Sequence, residues 1–390
     1  MSPDQGVLDD PAGLALGDPE QMLRVVASSA AQLREAARMA AEAGVHRVAD
    51  EGRPRAVVAL GMGGSGIAGD VLAAVAGQAC PVPVVVHKGY GLPGWVGPVD
   101  LVVAASYSGG TEETLSGLDE AARRGARVLG VGAPGSPFAD LVDRSRGVFV
   151  PVTPGRQPRA SLWSLAVPVL LGGAALGLLE CPPEAVEAAA VRLEALAVAC
   201  APAAESFTNP AKSLAAELAG ALPVVWGCSP VTTVAAYRTA CQLNENAKSP
   251  CLWGGLPEAD HNQVVAFDGP HGAQLALGGT AEAFGDDDFF RDRVQAEGAL
   301  PLRLLMLRDD GPGMDGEEHP QVTRRAGVSA ELARARGLQV VSLVAEGASR
   351  LERLASLVGL LDHASVYLGL MHGLDPTPVG VIEELKRRIR

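Results

Sequence analysis

The feature that most constrains the fold of this chain is a recurring unit in which a short Val-rich run ends in a glycine turn. PRAVVALGMGGSG, VPVVVHKGYG, DLVVAASYSGG and ARVLGVGAPGS repeat it four times between residues 54 and 136, with Ala-rich stretches of helical spacing between several of them. Strands buried on both faces of a parallel sheet read as near-continuous apolar runs, and parallel neighbours need helical crossovers. The pattern predicts an α/β protein. Apolar residues at helical spacing from Pro19 to about Asp50 predict a helix that leads into the first strand.

The rhythm breaks around Arg156–Trp163, where a long apolar helix is expected, followed by the Pro-rich CPPEAVEAAA. From near Phe207 the plan recurs. A helix is predicted over AKSLAAELAG, a strand over LPVVWG, a helix from about Thr232 to Asn244, strands over LRLLMLRD and LQVVSLVAE, and a closing helix from about Ser349 to Gly369. The two halves read as diverged copies of one unit, of which only the first keeps Gly/Ser-rich turns. A chain of 390 residues is long enough for two such domains, expected at 20–185 and 205–390. An acidic excursion at about 280–325, containing GDDDFFRDR and DDGPGMDGEEHP, is expected to be a solvated surface loop without a role.

Composition narrows the possible partners. A net charge of −13 and a pI near 5.1 disfavour nucleic acid and anionic membrane surfaces, so an anionic small substrate would depend on local donors. Leu162–Leu179 carries no charge and is just long enough to cross a bilayer. Pro168, Gly172, Gly173 and Gly177 interrupt it, and a buried or subunit-interface helix is the expectation. Six cysteines without a CxxC pair point away from a zinc knuckle or a disulfide scaffold, and Cys228, Cys241 and Cys251 are expected to act as small buried hydrophobes. The acidic start lacks the basic-then-apolar pattern of a signal peptide, so a cytoplasmic location is expected.

Three constellations could carry chemistry. GMGGSGIAGD, Gly61–Asp70, follows a predicted strand and opens a helix, where backbone N–H groups form an anion site. Its GxGxxG pattern alone is weak, because the next strand ends in His87 and Lys88 and not in the acidic residue a dinucleotide ribose would need. SYSGGTEET, Ser106–Thr114, ends a further strand and offers the hydroxyls of Ser106, Ser108, Thr111 and Thr114. Two such loops at carboxyl ends of one parallel sheet converge on a crevice, and neither has the GK[ST] of a nucleotide-triphosphate loop. NENAK, Asn244–Lys248, with LPEADHN downstream, places Glu245 at a helix end and His261 in a polar turn. Taken singly, these two residues are as readily explained by capping and turn hydrogen bonds.

These loops, NENAK, DHN and the ending DPTPVGVIEELK resemble the bifunctional phosphoglucose/phosphomannose isomerases, which are built from two sugar-isomerase (SIS) domains. The resemblance runs from about Gly61 to Lys386. It implies two tandem SIS domains, each a parallel sheet flanked by helices, and an aldose–ketose isomerase of hexose 6-phosphates. It further implies that Gly63, Gly64, Ser65, Ser106, Ser108 and Thr111 bind the sugar phosphate, with Arg159 near C1 and C2. Glu245 would be the base, and His261 and Lys386 would assist ring opening, the histidine reaching in from a neighbouring subunit of a homodimer. No metal or redox cofactor is expected. A non-catalytic phosphosugar regulator, an isomerase of another phosphosugar and an NADP oxidoreductase are the alternatives. The first of these has no use for a base or for ring-opening groups.

Overall fold

The Val-rich runs form strands because β-branched side chains pack well on a pleated surface covered on both faces. A computed structural model describes residues 3–272, 300–310 and 318–389. These divide into two units. One contains residues 24–198 and 347–359, the other residues 3–23, 199–272, 300–310, 318–346 and 360–389. Each is built on its own parallel sheet.

In the first unit β1 (Val57–Leu60), β2 (Val84–His87), β3 (Leu101–Ser106), β4 (Arg127–Gly132) and β5 (Val148–Pro151) lie in the order β2-β1-β3-β4-β5. All neighbours are parallel, with Val57 beside both Val84 and Leu101. The chain therefore moves from β1 to one side and returns to its other side. That reversal makes the β1/β3 edge a switch point, where the carboxyl ends of the strands open a crevice. Val58, Leu60, Val102, Ala104 and Val128 pack beneath Leu118, Phe138 and Val142 in the core on one face. The expected leading helix is two helices, Met22–Ala27 and Ser29–Glu42. The uncharged segment after residue 161 folds as the buried helix Leu162–Ala175, which packs against Ser29–Glu42 and Gly63–Ala76.

The second unit repeats the plan with β6 (Leu222–Gly227), β7 (Leu252–Gly255), β8 (Leu302–Arg308) and β9 (Gln339–Val344) in the parallel order β7-β6-β8-β9. Its core centres on Trp226, stacked 5.6 Å from Phe267, with Leu304 and Met306 around them. The helix after β6, Pro230–Asn246, begins with a reciprocal cap. Ser229 Oγ accepts from Thr232 N–H, and Thr232 Oγ1 accepts from the N–H groups of Cys228 and Ser229, each at 2.8 Å. Its own hydroxyls thus use the donors that an anion would need.

Most of the acidic excursion lies outside the described residues. Its end differs from the expected loop, because Pro320–Ala335 is a helix. Proline at its start and His319 Nδ1, which accepts from Gln321 N–H at 3.1 Å, supply a start signal that the preceding acidic run obscures. Among the described residues, Arg350–Met371 alone combines the length and hydropathy of a membrane span. Of its apolar window 94% is buried inside the protein, which is the condition of a core helix.

Candidate active site

Within the first unit the structure brings Gly63, Gly64, Ser65, Ser106, Ser108, Thr111 and Arg159 together at the β1/β3 switch point. The turn after β1 opens the helix Gly63–Ala76, and the turn after β3 opens the helix Glu112–Arg124. Two helix N-termini therefore lie at the carboxyl ends of neighbouring strands, each with N–H groups suited to an anion. The loops are joined directly, since Tyr107 N–H donates to Ser65 Oγ at 3.1 Å. Ser106 Oγ is 3.4 Å and Ser108 Oγ 3.5 Å from Thr111 Oγ1. Contacts this long are weak, so the hydroxyls can turn to a ligand at small loss.

Two glycines have distinct reasons to be there. Gly63 has φ +52°, a left-handed conformation that glycine adopts without steric penalty. Gly64 is needed for space, because an added Cβ would lie 3.1 Å from Arg159 Cα and 3.3 Å from Arg159 N. The helix Gly63–Ala76 is thus seated on the backbone of the arginine segment.

That segment is held by residues that the sequence reading did not single out. Arg159 is 4% exposed, in the single turn Pro158–Ala160. Tyr107, also buried, donates its phenol to Thr153 C=O at 2.8 Å and accepts from Arg156 N–H at 3.0 Å. Glu35 on the helix Ser29–Glu42 accepts from Thr153 Oγ1 at 2.8 Å and from the Arg156 guanidinium at 3.2 Å. From the same helix the fully buried Gln32 donates to Ala160 C=O at 3.0 Å. Both ends of the segment are therefore pinned. At the neighbouring strand end, Lys88 pairs with Asp70 at 2.7 Å. Burial pushes the Asp70 carboxyl above its usual range, with the Lys88 ammonium opposing the shift.

Glu245, His261 and Lys386 come from three elements of the second unit. Glu245 is half-buried in the last turn of the helix Pro230–Asn246. Asn246 beside it is fully buried and donates to Ser365 Oγ at 2.9 Å. His261 ends the turn Glu258–His261 and is exposed. Lys386 lies on the terminal helix Gly380–Arg388, which has no buried residue. Lys248 links the end of the Glu245 helix to residues 375–376, which precede the terminal helix. Its Nζ donates to Glu245 C=O at 2.9 Å, Asp375 C=O at 2.9 Å and Pro376 C=O at 3.2 Å. The described residues contain no group of three or more His, Cys, Asp and Glu placed to hold a metal ion.

Parallel sheets with helix flanks, and hydroxyl-lined helix N-termini at the switch point of one of them, are the make-up of a SIS-type phosphosugar protein. Residues 207–389 match the family model described as the bacterial phospho-glucose isomerase C-terminal SIS domain. The chain is 31% identical over 333 residues to the bifunctional phosphoglucose/phosphomannose isomerase of Caldicellulosiruptor bescii, covering 85% of this chain and 89% of that protein. The protein of the same name from Aquifex aeolicus is 31% identical, over 86% of this chain and 91% of its own. A solved glucose-6-phosphate isomerase from Chlamydia trachomatis shares the fold with a TM-score of 0.65 at 16% identity, over 99% of this chain and 84% of that one. The chain belongs to the bifunctional phosphoglucose/phosphomannose isomerase family, and its reaction class is aldose–ketose isomerisation.

Proposed function

We propose that this chain interconverts glucose 6-phosphate and mannose 6-phosphate with fructose 6-phosphate, in the cytoplasm and as a homodimer. The observation that carries the phosphate part is the convergence of two helix N-termini and the hydroxyls of Ser65, Ser106, Ser108 and Thr111 at one switch point. We place the phosphate-binding domain at 20–185 and the domain of Glu245, His261 and Lys386 at 205–390. Neutral hydroxyls and N–H groups suit a phosphate that must be held and released, and holding it fixes the sugar for reaction.

In this reading His261 or Lys386 moves the proton between O5 and O1, which opens the pyranose ring. Glu245 then takes the proton from C2. The C2–H electron pair forms the C1=C2 bond, and charge moves to O1 of the former carbonyl. The O2 proton passes to O1, the C1=C2 pair takes the proton back from the same carboxyl at C1, and C2 becomes the ketone carbon. The Arg159 guanidinium stabilises the cis-enediolate more than it does the neutral sugar, and loss of one such donor typically costs about 10²–10³ in rate. Glucose 6-phosphate and mannose 6-phosphate differ only at C2 and pass through the same enediolate, so one base serves both once the sugar rotates about C2–C3. The homodimer is supported by the terminal helix, where Val381 is 83% and Leu385 57% exposed.

The test is turnover of both aldose phosphates by the wild type beside Glu245→Gln. Loss of both activities in the variant, with phosphosugar binding retained, supports the mechanism. Binding without turnover by the wild type would instead indicate a phosphosugar regulator.

A further inference from the structure

Lys248 stands in a conformation that is costly for it. It follows the helix Pro230–Asn246 and its cap Ala247 with φ +52°, where glycine is the usual occupant and a side chain crowds the following carbonyl. Its side chain makes contacts that glycine could not make. Of 32 basic residues in the chain only four are lysines: Lys88, Lys212, Lys248 and Lys386. Arginine is the rule here, and lysine differs from it in presenting a compact ammonium in place of a planar fork. Lys212 illustrates this with an Nζ held by Pro202 C=O at 2.8 Å and Ala204 C=O at 2.7 Å. Lys248 meets three carbonyls in the same manner, one in the turn that carries Glu245 and two in the segment that feeds the terminal helix of Lys386.

We propose that Lys248 is a positioning residue for the isomerisation, its ammonium tying the turn of the proposed base to the root of the helix that carries Lys386. The inference rests on the proposed roles of Glu245 and Lys386. The helix end has a second anchor that does not involve Lys248. Asn246 is bonded to Ser365, and its carbonyl lies so close to the helix Arg350–Met371 that a Cβ on Gly369 would come within 2.6 Å of it. Residues 375–376 are joined to the helix end through Lys248 Nζ, and the next turn is shaped by Thr377 N–H donating to Asp375 Oδ1 at 2.9 Å. Removing the ammonium thus loses the tie between the root of the Lys386 helix and the end of the Glu245 helix, while the buried Pro376 and Thr377 keep the root packed and Asn246 keeps the helix end closed.

Lys248→Gly separates the two contributions, because glycine relieves the backbone and removes the ammonium. The expected result is a kcat lowered by about tenfold or more with KM within about twofold of wild type, and a melting temperature that does not fall. Lys248→Met, which keeps the crowded backbone, should lose the same activity and also melt lower. Added methylammonium should return part of the kcat of Lys248→Gly, and tetramethylammonium, which has no N–H, should not. Wild-type kcat in Lys248→Gly, beside an inactive Glu245→Gln, would overturn the positioning role and leave the base in place. An active Glu245→Gln would overturn the base assignment itself, and the role of Lys248 with it.

Discussion

Deleting one oxygen, in Tyr107→Phe, tests whether the arginine segment is set by the network around it. The ring is 7% exposed and stays packed, so the change is confined to two hydrogen bonds, of 2.8 Å to Thr153 C=O and 3.0 Å from Arg156 N–H. Leaving a buried backbone group without its partner costs about 1–3 kcal/mol, and the half-buried Thr153 and Arg156 set the loss at the lower end. Part of that loss appears as lower stability, and part as freedom of residues 153–160. A misplacement of about 1 Å in a transition-state group can cost about 10²-fold in rate. The expected kcat loss is therefore about 10- to 100-fold for both aldose phosphates, because Glu35 and Gln32 still hold the segment. KM should change less than kcat, because the hydroxyls and helix N-termini remain. The assay is steady-state kinetics with each sugar phosphate, accompanied by thermal unfolding. A variant that melts lower yet keeps wild-type kcat and KM would refute the claim that Tyr107 sets Arg159. Glu35→Gln measured alone and combined with Tyr107→Phe should give non-additive losses, as members of one network do.

Three further outcomes follow from the same geometry. Gly64→Ala, which puts a Cβ 3.1 Å from Arg159 Cα, should lower kcat/KM more than Gly63→Ala, whose Cβ meets open space but sits at φ +52° at a cost of about 1–2 kcal/mol; equal losses would contradict this division of roles. Arg238 and Asp362 form a buried bidentate pair at 3.0 and 2.6 Å, so Asp362→Ala should destabilise by about 3–5 kcal/mol in denaturant unfolding, and adding Arg238→Met should recover part of it. Burial pushes the thiols of Cys181 and Cys200 up to about 11, so at pH 8 both should react with an aromatic disulfide reagent only after unfolding; rapid labelling of native protein at either position would contradict their placement.

The strands legible in the sequence were those with unbroken Val- or Leu-rich runs, namely β1 to β4, β6, β8 and β9. β5 was missed because VFVP ends in proline and runs into VTPG, which reads as a loop. β7 was missed because LWGG is half glycine and two of its residues are exposed. The terminal helix was also unread, since it contributes nothing buried and its apolar residues serve no core of this chain. At the candidate site, Ser65, Ser106, Ser108 and Thr111 could be singled out because hydroxyls and glycines at strand ends have a local signature. The supports of Arg159 have none. Glu35 meets Thr153 and Arg156 across 118 and 121 residues, a pairing that only the fold creates. Lys248 had a usable signal in the rarity of lysine, although its three carbonyl partners depend on Asp375 and Pro376 arriving beside the end of the Glu245 helix.

The central claim is that one carboxylate, Glu245, moves a proton between C2 and C1 of either aldose phosphate. Its most direct test is isomerisation of mannose 6-phosphate in deuterium oxide, followed by NMR for the wild type and Glu245→Gln. The expected product is fructose 6-phosphate whose C1 carries either the hydrogen that left C2 or solvent deuterium exchanged onto Glu245, with neither it nor glucose 6-phosphate formed by the variant. Fructose 6-phosphate formed equally by the variant, or carrying deuterium at a carbon other than C1, would contradict the claim.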